Sequence, residues 1–360
     1  MNTKYLLNCL FLSCHIILAL LISACNNELE TIDSAKKQAV SAGNDDINIL
    51  QSLGFDTSDI TEMDTYYLIE GDIMFEKSGL SSYDKVQTRQ AYHTTGLIGH
   101  PKQRMITVGV DSSIPISGVD NWREEIQEAI NLWNPLSNLK MTYTSEVNPD
   151  ILIRSDAIDP TPLEDNVIAA ASWPTNGQPG SSIRINLDYY NNKTIPRLQK
   201  IYNMVHELGH CFGLRHTNWK SIGESEANHI DGTPISDPNS IMNGGTAEYQ
   251  WNGFSEGDKE AIKRLYPFFK GEFNNFPDNI KHFGIDQFLI SVSCSHPIVS
   301  YTNWWVTAGV LVSANRNSAT IILGSPVTSS VSVNVTTIYG EKYYISKQYL
   351  TQVTTQRLLN

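Results

Sequence analysis

Hydrophobic positions divide the chain into stretches of different period. Ile106 to Val110 alternates with a period of two and predicts a strand, followed by a turn between Pro115 and Gly118. Trp122, Ile126, Ala129, Ile130 and Trp133 recur at intervals of three and four, which predicts a helix over 122–133. Further strands are expected at 139–144, 151–154, 167–173 and 183–187, and a longer helix from about 195 to 212. Residues 216–240 are rich in Gly, Asn, Ser and Pro without any period, the mark of a long functional loop. A last helix is expected over 255–266, with Ser255 and Asp258 as a capping box and Pro267 as its stop. Beyond Phe268 the composition shifts to Val, Ile, Thr, Ser and Tyr. The alternation Ile290/Val292/Cys294 and Val331/Val333/Val335 there predicts a small β-sandwich. Residues 26–101 are polar and acidic, with scattered apolar clusters such as Tyr66–Ile69. They read as a tether and then a pro-segment with little core of its own.

Composition narrows the function classes without naming one. At 41% hydrophobic and 18% charged, the 360 residues are those of an ordinary globular protein. A net charge of −12 argues against an electrostatic nucleic-acid binder, which needs a basic face. Five cysteines are too few for a disulfide scaffold.

The N-terminus changes the picture more. Lys4 precedes an uncharged, mostly apolar run from Tyr5 to Ala24. A membrane-spanning anchor helix and an ordinary secretory signal are two readings of such a run. Ile22-Ser23-Ala24-Cys25 favours a third, because it resembles a bacterial lipobox. Cleavage before Cys25 and lipidation of its thiol would tether the chain to the membrane. Glu28 and Glu30 soon after the cysteine resemble surface-export tethers, so the expected location is the cell envelope, as an outer-membrane lipoprotein with a surface-exposed option. Cys211 and Cys294 are then either free or paired with each other.

The chemistry is concentrated in His206-Glu207-Leu208-Gly209-His210-Cys211-Phe212-Gly213-Leu214-Arg215-His216. Residues four apart lie on one helix face, so His206 and His210 suit one Zn²⁺. Glu207 sits near that face, placed as general base for a zinc-activated water. Gly213 lets the chain leave the helix at positive φ and bring back His216 as third ligand. Three protein ligands with one open position describe a catalytic rather than a structural zinc. Nothing in the sequence supports a structural Ca²⁺.

This string resembles the metzincin signature. Ser240-Ile241-Met242-Asn243 resembles the Met-turn of that clan, with Met242 as the floor beneath the histidines. Residues Phe254 to Tyr266 resemble the closing helix of matrixins, in which the position of Asp258 holds the Met-turn backbone. From about Arg89 to Pro267, including His229–Pro234 and Asp237–Asn243, the chain resembles the bacterial dual-action HEIGH metallopeptidases, with Leu208 where the family name implies Ile. The resemblance implies an α+β catalytic domain: a mixed five-stranded sheet, an active-site helix and a Met-turn subdomain. It also implies a zinc endopeptidase. The expected organisation is a signal peptide over 1–24, tether and pro-segment over 25–100, the peptidase over 101–268 and an immunoglobulin-like β-sandwich over 269–360.

Two departures from related patterns matter. Gly244 stands where astacins and serralysins carry a tyrosine, so no tyrosine ligand is expected. The pro-segment has no cysteine for a matrixin-type switch. Instead Ile69-Glu70-Gly71-Asp72-Ile73 resembles the segment of astacin propeptides whose aspartate enters the zinc site. Asp72 is thus a candidate latency ligand, with a solvated Gly-Asp turn as the alternative. Residues 167–174 match the edge strand to which an extended protein or peptide substrate adds, and Pro174 ends the pairing. Cys294 and Trp305 have immunoglobulin-like spacing, but the partner cysteine is missing. A sugar-stacking platform and a core cluster are the two readings of Tyr301, Trp304 and Trp305, and core is the commoner. A monomer is expected. The rival to an enzyme is a surface adhesin that keeps a zinc site without turnover, and Glu207 argues against it because such a relic needs no general base.

Overall fold

The computed structural model describes residues 44–84, 97–192, 194–278 and 280–349. The signal segment, Cys25 and Arg89 lie outside them. No helix among the described residues is long and apolar enough to cross a membrane.

The region before residue 101, expected to have little core of its own, is built of regular elements. Helix α1 (Asn44–Ser52) is followed by strands β1 (Thr61–Glu62), β2 (Tyr66–Ile69) and β3 (Ile73–Glu76). β2 and β3 form an antiparallel hairpin in which Ile69 pairs with Ile73, leaving Glu70, Gly71 and Asp72 as its tip. Glu70 and Gly71 both take positive φ, at 54° and 87°, and glycine is the residue best able to do so. All four residues of β2 are buried, so no alternation marks it in the sequence. Met63, Tyr66, Leu68 and Met74 share a small core with Leu163 and Ala170. Phe55 and Phe75 meet edge-on at 5.1 Å, and Phe55 packs edge-on against Trp173 at 5.5 Å.

Five strands follow where alternation places them: β4 (Ile106–Val110), β5 (Met141–Thr144), β6 (Ile151–Ser155), β7 (Ala169–Ser172) and β8 (Ser182–Ile185). Their order is β7-β8-β6-β4-β5, with only β7 antiparallel to its neighbour. The hairpin extends this sheet to eight strands, because β3 pairs in parallel with β7 through Ile73–Ala171 and Met74–Ser172. In this chain β7 is therefore an interior strand, where the sequence predicts an edge strand.

Helix α2 (Arg123–Trp133) turns Ile126, Ala129, Ile130 and Trp133 inward, as the period requires. Helix α3 (Arg197–Cys211) is buried continuously from Gln199 to Cys211, polar residues included. Trp133 Nε1 donates to the Val205 carbonyl at 3.0 Å and locks the two helices together. Helix α4 (Glu256–Leu265) carries the complete capping box of Ser255 and Asp258.

The C-terminal strands are β9 (Gly271–Asn274), β10 (Gln287–Cys294), β11 (Ile298–Thr307), β12 (Gly309–Ala314), β13 (Ser318–Leu323), β14 (Ser330–Thr337) and β15 (Lys342–Gln348). They form two antiparallel sheets, β12-β13-β10-β9 and β11-β14-β15, around Ile290, Val292, Ile321, Val331, Val333 and Val335. Trp304 packs inward against Phe273, but Trp305 is 65% exposed. The core reading of Trp305 and its immunoglobulin analogy fail for a local reason. The pairing shifts register between Thr302 and Trp305, and Asn303 sits at φ 53°. Cys211 and Cys294 are both free, which settles their pairing.

Candidate metal centre and cleft

The long helix α3 supplies His206 and His210 one turn apart. It ends at Gly213, whose φ of 88° turns the chain back, with Leu214 N donating to the Gly209 carbonyl at 3.0 Å. That reversal brings His216 beside the other two. The Nε2 atoms of His206 and His210 stand 3.0 Å apart, and those of His206 and His216 3.4 Å apart. Ligands about 2.0–2.1 Å from a tetrahedral zinc stand about 3.4 Å from one another.

The other ring nitrogens show which proton state this requires. His206 Nδ1 donates to the Ile241 carbonyl at 2.7 Å, and His210 Nδ1 to the Leu214 carbonyl at 2.8 Å. His216 Nδ1 faces Glu224, 2.8 Å from Oε1. A carbonyl only accepts, so each of the first two rings keeps its proton on Nδ1 and turns an Nε2 lone pair inward. Lone pairs converging at 3 Å repel unless a cation lies among them. The donor set thus fits a zinc ion, with an oriented acceptor behind each ligand.

Asp72, from the hairpin tip, closes the cage. Its carboxylate lies 3.4 Å from His206 Nε2, 3.4 Å from His210 Nε2 and 3.3 Å from His216 Nε2. These four residues form a cluster able to hold a metal ion. Burial alone would raise the Asp72 carboxyl, but the facing His216 and His210 hold it well below the usual range. Glu207 is 2% exposed, and its Oε2 has no hydrogen-bond partner. Burial, then the Asp72 charge, pushes its carboxyl well above the usual range.

The floor is built as the Met-turn resemblance implies. Met242 lies so close under Gly209 that a Cβ there would meet its Sδ at 2.4 Å. Asp258 accepts from Ser240 Oγ at 2.6 Å and from Ile241 N at 3.0 Å, fixing the turn to α4. At Gly244 a Cβ would come within 2.8 Å of His216 Nδ1, so this position has room for no tyrosine. Beside the cage a cleft remains, bordered by Asp72, Ile168, Tyr202, Glu207 and Thr246.

Two residues escape the sequence reading. Glu224 lies in the loop without period, where no spacing rule reaches. Arg215 belongs to the decisive string, yet no role follows from its position there. Its guanidinium binds both oxygens of Glu70, from the hairpin tip.

The chain resembles known proteins as follows. Two solved structures of myroilysin are similar at 12% and 14% identity, each with a TM-score of 0.31. They cover 50% and 49% of this chain and 87% and 82% of their own. No curated protein matches. A family model described as dual-action HEIGH metallo-peptidase matches residues 69–266, more than half of the chain. The match starts inside the hairpin and closes at the end of α4, so it encloses the histidine cage, Asp72 and the Met-turn together. The chain belongs to the dual-action HEIGH metallo-peptidase family, and it is a metallopeptidase.

Proposed function

We propose that the chain is the latent, lipid-anchored precursor of a zinc endopeptidase. The observation that carries this reading is the convergence of three imidazole Nε2 atoms and one pro-segment carboxylate beside an unpartnered, buried Glu207. His206, His210 and His216 hold the ion. When bound, it supplies Lewis acidity toward the scissile carbonyl and toward the attacking water.

The remaining work falls to the protein. Once the hairpin leaves, the freed edge of β7 pairs with an extended substrate and sets its main chain across the cage. Glu207 takes the proton of the attacking water and hands it to the leaving amine. Its burial keeps bulk water from competing for that carboxylate. In the precursor, Asp72 occupies the place of the water and β3 occupies the place of the substrate. Cys25 carries the lipid, which puts the catalytic domain in the bacterial cell envelope.

Hydrolysis of denatured casein or gelatin by processed protein tests the reading, with and without chelator. We expect chelator-sensitive cleavage that Glu207→Ala lowers by about 10²- to 10⁴-fold while bound zinc stays at one equivalent. Stoichiometric metal with no such cleavage, even after removal of the pro-segment, would leave only a binding lipoprotein.

A further inference from the structure

The hairpin tip delivers two carboxylates, and only Asp72 goes to the cage. The other, Glu70, is 4% exposed and meets the forked edge of Arg215, with Oε2 3.2 Å from Nε. Ser225 Oγ donates to Glu70 Oε1 at 3.0 Å. The outer edge of the guanidinium is held by other groups. Its Nη1 donates to the Glu226 carbonyl at 3.1 Å and its Nη2 to the Ser225 carbonyl at 3.0 Å. Those two carbonyls belong to the peptidase loop and stay behind when the pro-segment goes. Loss of the hairpin therefore leaves the fork with a positive charge and a neighbouring hydroxyl but without its carboxylate.

We propose that Arg215 and Ser225 form a carboxylate-binding subsite of the mature enzyme, which selects a Glu or Asp side chain of the substrate near the scissile bond. This inference rests on the peptidase reading. Glu70 is the tethered occupant that reveals the subsite. Its chemistry is bidentate recognition, for which a planar guanidinium is well matched and a neutral amide is not.

Two measurements decide the matter. Processed full-length protein digests a denatured protein mixture, and the products are sequenced. We expect Glu and Asp to be enriched about fivefold at one position within three residues of the cut. A chelator-sensitive digest without that enrichment would overturn the subsite and leave the peptidase reading intact. The second measurement needs no turnover. Zinc-loaded processed protein binds a synthetic peptide of residues 61–77, compared with its Glu70→Gln form. We expect the glutamine form to bind about tenfold more weakly, and Arg215→Ala to bind both alike. Equal affinities for the wild-type protein would overturn the proposal, whether or not Arg215→Ala folds. If no chelator-sensitive digestion occurs, the peptidase reading falls, and the peptide pair alone judges the carboxylate site.

Discussion

Behind the His216 ring stands Glu224, a carboxylate where the other two ligands have backbone carbonyls. A charged acceptor makes the ring a stronger ligand, and it anchors a histidine that comes from a loop instead of a helix. Glu224→Ala should weaken zinc binding by about 10- to 100-fold, measured by competition with a chromophoric chelator. Unchanged affinity would show that Glu224 does no more than fill space. The proposed ligands His206 and His210, with Glu207, were legible in the sequence because a helix fixes the geometry of a four-residue spacing, and His216 because Gly213 turns the chain back at positive φ. Glu224 was not, because eight residues of aperiodic loop fix nothing. Arg215 was visible as a residue and silent as a function, since its partner lies 145 positions away.

In the proposed precursor the hairpin of β2 and β3 is the element that sets the state of the enzyme. It inserts Asp72 among the imidazoles and Glu70 against Arg215 while its second strand covers β7. Replacing Asp72 with Ala in the unprocessed chain removes the cage contact and leaves the strand pairing. We expect chelator-sensitive peptidase activity without processing, and latency as deep as in the wild type would exclude Asp72 as the inhibitory group. Elements such as β4, β6 and α2 were legible from their periods because each mixes buried positions with half-buried or exposed ones. The hairpin was not, because Tyr66 to Ile69 are buried on both faces and show a plain apolar run. Its tip was recognisable only from Glu70-Gly71-Asp72. The outward turn of Trp305 was hidden for a different reason: a single bulge reverses the faces that alternation assigns.

At the scale of the whole molecule, the proposed lipid site at Cys25 and the catalytic domain lie on opposite sides of the proposed pro-segment in the chain. Arg89 and Arg104 are two basic residues between the hairpin and β4. Arg104 is engaged by Glu341 at 2.7 Å and by Asn138 at 3.1 Å, two residues before β4. Arg89 lies outside the described residues and is our choice for the cut. Cleavage there should release the catalytic and sandwich domains together. Fractionation of cells before and after activation tests this, and mature enzyme retained with the membranes would refute it. Removal of the hairpin has one more outcome. The sheet loses three strands at once, and the backbone donors and acceptors of β7 are uncovered along one side. An uncovered strand adheres to any extended chain, including another copy of the same protein. A strand of four residues closed by Pro174 limits how long such a wrong partner can grow. The pro-segment thus also serves as a solubility cover during folding, and the brevity of β7 takes over that protection once the cover is shed.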